Sequence, residues 1–169
     1  MGDSLITIVS IFLAAILMFV FPLASISEMN DSESQALVQA YTTDFVNQIR
    51  GKGKITKADY DAYIQKLSAT GNSYDIEFEI QIADTNPGKK TENQQIGDTT
   101  YYSIFATQVE SALDSGPYLL KEGDFVSVSI RNTNTTISMM IKGVLYSITG
   151  DQSYVISAHA SGAIISTGY

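Results

Sequence analysis

The sequence predicts an α+β protein, with a long N-terminal helix followed by a small antiparallel sheet with packed helices. Three observations predict it. From Leu5 to Ile26 the chain reads LITIVSIFLAAILMFVFPLASI, 22 residues without a charge. From Glu28 to Arg50 helix-forming residues continue with neither Gly nor Pro. Farther on, Tyr74–Ile82 and Phe125–Asn132 alternate apolar with polar residues, which in a strand puts one face in a core and the other in water.

The opening run, at about 1.5 Å per residue, extends roughly 33 Å and is long enough to cross a hydrocarbon core of about 30 Å. No second segment of this kind follows. It is expected to be a retained anchor and not a cleaved signal, because it lacks a basic n-region, exceeds the usual apolar length and offers only Leu23-Ala24-Ser25-Ile26-Ser27 as a weak cleavage site. Almost no Lys or Arg flanks it, and Glu28, Asp31 and Glu33 follow it, so the expected orientation is N-terminus inside, remainder outside. The 169 residues then divide into 1–27, a hydrophobic transmembrane or assembly helix, and 28–169, an extracytoplasmic α+β head that includes an amphipathic continuation of the helix over 28–50.

In that continuation Leu37, Tyr41 and Phe45 recur every four residues beside Val38, Val46 and Ile49, and Gln35, Gln39, Thr43 and Asn47 take the opposite side. Pro22 is the only breaker before it, and proline kinks more readily than it terminates a helix inside a membrane. Gly51-Lys52-Gly53 ends the helix. Thr56, with Asp59 three residues on, reads as the cap of a second helix whose apolar face is Tyr60, Tyr63, Ile64 and Leu67, closed by Gly71-Asn72. Tyr74, Ile76, Phe78, Ile80 and Ile82 then alternate as a strand. Asp84–Thr99 is expected to be a long exposed loop. Tyr102, Phe105, Ala106, Val109, Ala112 and Leu113 have helical spacing, up to a stop at Gly116-Pro117. After an EGD turn at 122–124, Val126, Val128 and Ile130 alternate with Ser127, Ser129 and Arg131 in a second strand. Ile137, Met140, Ile141, Val144 and Leu145 suit a short helix. SYVISAHA, a turn at Ser161-Gly162, and AIIST suggest a terminal hairpin.

Composition narrows the chemistry. Ten basic residues against 18 acidic ones leave a net charge of −8, with no basic cluster longer than Lys89-Lys90, so nucleic acid is not an expected partner. The chain has no cysteine, which removes disulfides, thiolate metal sites and thiol catalysis. His159 is the only histidine and reads as an ordinary strand position, since a lone imidazole has neither a Ser-His-Asp order nor a second His for a metal. Glu77 and Glu79 read as the solvent side of their strand. Asp59, Asp61, Asp98 and the EGD turn match no calcium loop, and GKGK lacks the frame of a phosphate loop. Ten tyrosines, among them Tyr41, Tyr60, Tyr63, Tyr74, Tyr101 and Tyr102, read as core residues with one wet end. No cofactor, metal or catalytic residue is expected, and the chain is not expected to be an enzyme.

A helix with an apolar first half and an amphipathic second half, followed by a small sheet-containing head, resembles the type IV pilin superfamily, including Tad-type pilins and TadE-like pseudopilins. LITIVSIFLAAILMFVFPLASI and ALVQAYTTDFVNQIR carry the resemblance, and Pro22 is similar in place to the helix-kinking proline of many pilins. Around GKITKADYDAYIQKLSATGNSYDIE the chain also looks like uncharacterised short membrane-anchored proteins of Gram-positive bacteria. The pilin resemblance implies an assembly helix, here Asp3, Leu5, Ile8, Phe12, Ile16, Phe19 and Pro22, packing against copies of itself in an extracellular filament. The sequence departs from the pilin pattern at two points. No basic leader ending in Gly is present, and Leu5 stands where pilins carry a glutamate, leaving Asp3 as the substitute carboxylate. Physically, a helix of about 45 residues, roughly 65 Å long, cannot be covered by a small head, so its apolar half needs lipid or neighbouring copies. The expected partners are therefore membrane lipid before assembly and further copies after it, or other pilus or secretion subunits. A permanently anchored accessory protein of a secretion, pilus or conjugation apparatus is the alternative expectation.

Overall fold

In the computed structural model, which describes residues 2–83, 101–146 and 155–169, the first helix, α1, spans Gly2–Lys52 with Pro22 inside it. The amphipathic stretch thus continues the apolar one, as expected. Proline removes a single backbone donor, and the helix continues through it from Phe21 to Leu23. Asp3 lies in the first turn and Arg50 and Lys52 in the last, where their charges complement the helix dipole. Gly53 ends the helix with a φ of 64°, and its N–H bonds to the Ile49 carbonyl at 2.8 Å. The chain divides into two compact units, one comprising 1–34 and 135–155, the other 35–134 and 156–169.

The second unit begins with the amphipathic part of α1. Strand β1 (Lys54–Ile55) and helix α2 (Lys57–Ser68) follow, and α2 starts as the sequence predicts: Thr56 Oγ1 accepts from the Asp59 N–H at 3.1 Å and donates to Asp59 Oδ2 at 2.7 Å. Next come β2 (Tyr74–Ala83), β3 (Tyr101–Phe105), α3 (Ala106–Leu113), β4 (Tyr118–Leu119), β5 (Phe125–Asn132) and β6 (Ser157–Ala163). The main sheet is antiparallel throughout, in the order β3-β2-β5-β6, and β1 pairs with β4. The predicted alternation sets its register, with Ile76 opposite Ile130, Phe78 opposite Val128 and Ile80 opposite Val126. These residues join Val38, Phe45, Val46 and Ile49 of α1 and Tyr63 and Leu67 of α2 in one core. Phe45 ties the layers together. Its ring stacks on Tyr63 at 4.2 Å between centroids and meets Phe78 at 6.2 Å.

The outer edge of β6 is closed by side chains of α1. The Gln35 amide accepts from the Ser157 N–H at 2.9 Å and donates to the Ser157 carbonyl. Gln39 repeats the pair on His159, donating to its carbonyl at 3.0 Å and accepting from its N–H, and Arg50 Nε donates to the Ala163 carbonyl at 2.8 Å. The spacings match, because four residues of helix advance about 6 Å and two residues of strand about 6.7 Å. Gln35 and Gln39 therefore do not form a solvent face, as their place in the helical pattern suggests. They occupy backbone groups that an open sheet edge would offer to another chain.

Two further expectations are corrected. Tyr102 and Phe105 belong to β3 and not to a helix running from 102 to 113, because the edge of β2 draws in an aromatic, β-branched segment that pairs Ile82 with Tyr102 and Ile80 with Ile104. Only then does α3 begin, its Gln108 side chain accepting from the Phe105 N–H at 3.1 Å. The turn expected at Ser161-Gly162 is absent, and β6 runs straight through both residues. Gly162 is needed for room and not for a turn, since a Cβ there would lie 2.6 Å from Arg50 Nε. The short β1–β4 pair was not anticipated, because two-residue strands leave no alternation to read. The EGD turn holds, with Gly123 at a φ of 95° and the Asp124 carboxylate accepting from Lys121 and Ala83 N–H groups. The 84–99 loop lies outside the described residues.

Two glycines of similar φ make a paired test of this packing. Gly71, at 78°, has open space where a Cβ would go, whereas a Cβ on Gly53 would overlap the backbone of Ser166, Thr167 and Gly168. Gly71→Ala is expected to lower stability by about 1–2 kcal/mol, the ordinary left-handed penalty. Gly53→Ala is expected to lower it by more than about 3 kcal/mol, because main chain has to move. Urea midpoints of the detergent-solubilised full chain check this, and equal shifts would contradict the close approach.

Candidate functional site

The first unit holds the residues singled out in the sequence. Leu5, Ile8, Phe12, Ile16 and Phe19 follow one another at helical three- and four-residue spacing and form a stripe along α1. All five are exposed, from 50% at Ile16 to 72% at Phe19. Asp3 and Pro22 are exposed as well. The stripe has no polar counterpart, for Ile6, Val9, Leu13, Leu17 and Met18 on the other faces are equally uncovered. Thr7, one of the few polar residues here, turns its hydroxyl to the Asp3 carbonyl at 2.8 Å. α1 is thus long and apolar enough to cross a membrane, and its most apolar window has no buried residue.

Beyond Phe19 the surroundings of α1 change. Helix α4 (Ile137–Tyr146), a helix the sequence predicts, belongs to the same unit and meets α1 through polar groups. Thr136 Oγ1 donates to Asp31 Oδ2 at 2.7 Å and accepts from the Met139 N–H at 3.2 Å, which caps the start of α4. Lys142 Nζ lies 2.6 Å from Glu28 Oε1. Ser27, Asp31, Ser34, Thr136 and Ser138 are all buried. Ser27, Asp31 and Ser34, four and then three residues apart, share one helical stripe, which the sequence alone does not distinguish from a solvated face.

In the second unit the polar face of the sheet carries the remaining candidates. Pairing across β2, β5 and β6 lines up Asp75, Arg131 and Ser157 in one row and Glu77, Ser129 and His159 in the next. His159 Nδ1 lies 2.9 Å from Ser129 Oγ. This is not a nucleophilic triad: the carboxylate stands beside the serine and not behind the histidine, and both Glu77 and His159 are exposed on an open face. Glu79 accepts from Ser103 Oγ at 2.6 Å and from Gln81, and these hydrogen bonds hold its pKa below the usual value. Among the described residues, no group of three His, Asp or Glu side chains is placed to hold a metal ion.

Half-buried Tyr60 and buried Tyr63 each have a polar contact for the phenol. Tyr60 Oη donates to Glu110 at 2.7 Å, and Tyr63 Oη meets Thr42 Oγ1 at 3.1 Å. Burial pushes the Tyr63 phenol up to about 12, against a smaller lowering by Thr42. Tyr101 and Tyr102 are instead exposed, on the edge strand β3. Asn134 donates to Asn72 and accepts from the Ser73 N–H.

The chain matches no protein-family model, and no curated protein or solved structure matches it.

The electrostatics of α2 give a pH test. Partial burial alone would raise the Asp59 carboxyl, but hydrogen bonds from Lys52 and Thr56 and the Lys52 charge outweigh it and hold the pKa below 3.8. A depressed carboxylate stabilises the fold above its unfolded pKa, and that contribution is lost as the pH falls through the lower folded value. Lys52→Ala is therefore expected to lower stability at neutral pH and to flatten its decline below about pH 4. Urea midpoints across that range check it, and parallel profiles for the two proteins would contradict it.

Proposed function

We propose that this chain is a single-pass, membrane-tethered, pilin-like structural subunit. Its α1 lies in the bilayer before assembly, and its second unit is extracytoplasmic and has no catalytic role. In an extracellular filament the apolar surface of α1 then packs against other copies. The observation that carries this reading is the uncovered apolar surface of Leu5–Phe19 on a helix whose later residues, from Val38 to Ile49, are core. Such a surface is stable only against lipid or against like surfaces, and head-to-tail contacts between copies propagate an array. Asp3, exposed in the first turn, is the carboxylate available to a neighbour's amino terminus.

A permanently anchored accessory protein of a secretion, pilus or conjugation apparatus is the second reading. It is favoured by the ion pair and hydrogen bond that hold α4 to Glu28 and Asp31, since α4 occupies one side of α1 that a filament neighbour could use.

Negative-stain microscopy of material sheared from cells separates the two. Filaments containing the chain are expected from the wild type, and none from Asp3→Ala, which should remain in the membrane fraction. Filaments unaltered by Asp3→Ala would refute the role of that carboxylate. A wild-type chain found only as a detergent-soluble monomer would refute the filament and leave the anchor.

A further inference from the structure

The pair formed by α4 and the facing part of α1 meets through polar side chains. In a water-exposed helix pair, apolar side chains meet and polar ones face solvent. Here the buried positions are Ser27, Asp31, Ser34, Thr136 and Ser138, with Ser138 only 1% exposed. On the outer side of α4 the exposed residues include Ile137 and Met140, and on α1 Ile26 and Met29 are exposed beside Ser25, Glu28, Asn30, Ser32 and Glu33. Small and hydroxylated residues between helices, with apolar residues outside, suit a lipid environment, where apolar contact between helices brings no advantage over contact with acyl chains.

The direction of α4 adds a second argument. Its first residues meet Asp31, its middle meets Glu28 through Lys142, and Ile141 lines a cavity together with Phe21 and Ala24. α4 therefore runs antiparallel to α1, from the charged residues that follow the uncharged run back toward residues inside it. The Lys142–Glu28 pair lies between the two helices, so that neither charge meets apolar surroundings alone.

We infer that α4 enters the outer leaflet of the bilayer beside the last turns of the α1 apolar run, with Ile137 and Met140 in contact with lipid. The chain then holds its membrane with a helix pair on one side and a single helix on the other. This rests on the reading of Leu5–Ile26 as a bilayer helix, and it replaces the expectation that everything after residue 27 lies wholly outside. The occupant of this face is lipid and not a second copy, because α4 reaches Phe21 and Ala24 inside the uncharged run, whose Phe21, Leu23 and Ile26 are exposed.

The chain has no cysteine, so single cysteines can report each position. The full chain is reconstituted in phosphatidylcholine–phosphatidylglycerol vesicles with an environment-sensitive fluorophore on Ile137→Cys, Met140→Cys, Ile16→Cys or Lys121→Cys. The first two replace exposed side chains, and Ile16 reports the anchor itself. Doxyl-labelled lipid is expected to quench probes at 137, 140 and 16 by about half or more and to leave 121 unaffected. Quenching at 16 with none at 137 and 140 would overturn the placement of α4 while sparing the anchor. No quenching at 16 would overturn both. Unquenched probes at 137 and 140, with disulfide cross-linking between copies at those positions, would assign the face to a second copy.

Discussion

The second unit depends on how α1 closes the edge of its sheet. Gln35 and Gln39 each present an amide that accepts from and donates to a residue of β6, and Arg50 continues the line to Ala163. The sheet order leaves β6 with a free side, and these side chains fill much of the place that a further strand would take. The arrangement also orients α1. With Gln35 and Gln39 turned to the edge, Val38, Phe45, Val46 and Ile49 turn into the core, where Phe45 contacts both α2 and β2. Gly162 belongs to the same device, since Arg50 lies across the position where any other residue would put a side chain.

In the earlier part of α1 the situation is reversed. No protein covers Leu5–Phe19, and from Ser27 onward the contacts of α1 with α4 are polar. Burying an Asp with Thr and Ser hydroxyls while leaving Ile, Leu and Met outside is unfavourable in water, where apolar surface supplies the main driving force. The arrangement suits hydrocarbon better, because apolar side chains there need no protein cover and Thr136 and Asp31 satisfy one another, although Ser138 Oγ is buried without a hydrogen-bond partner. The membrane reading therefore draws on α4 as well as on the length of the apolar run.

Much of the fold was legible because it follows local rules. The long helix through Pro22, the Thr56 cap, the alternation in β2 and β5 and the turn at Gly123 each depend on residues close in sequence. What could not be read depends on distant partners. Tyr102 and Phe105 fit a helical period, but the open edge of β2 takes them into a strand. Gly162 looks like a turn residue until Arg50, far away in sequence, explains it. Gln35 and Gln39 look like a solvent face because nothing local reveals the edge they meet. At the candidate site, the apolar stripe was plain in the sequence, whereas its polar contact with α4 joins residues more than a hundred positions apart.

The central claim is that Leu5–Ile26 is embedded in lipid. Alkaline carbonate extraction of cell membranes tests it most directly, since this treatment releases peripheral proteins and leaves bilayer-spanning ones in place. The chain is expected to remain with the lipid pellet and to leave it only in detergent. Release into the carbonate supernatant would contradict the claim.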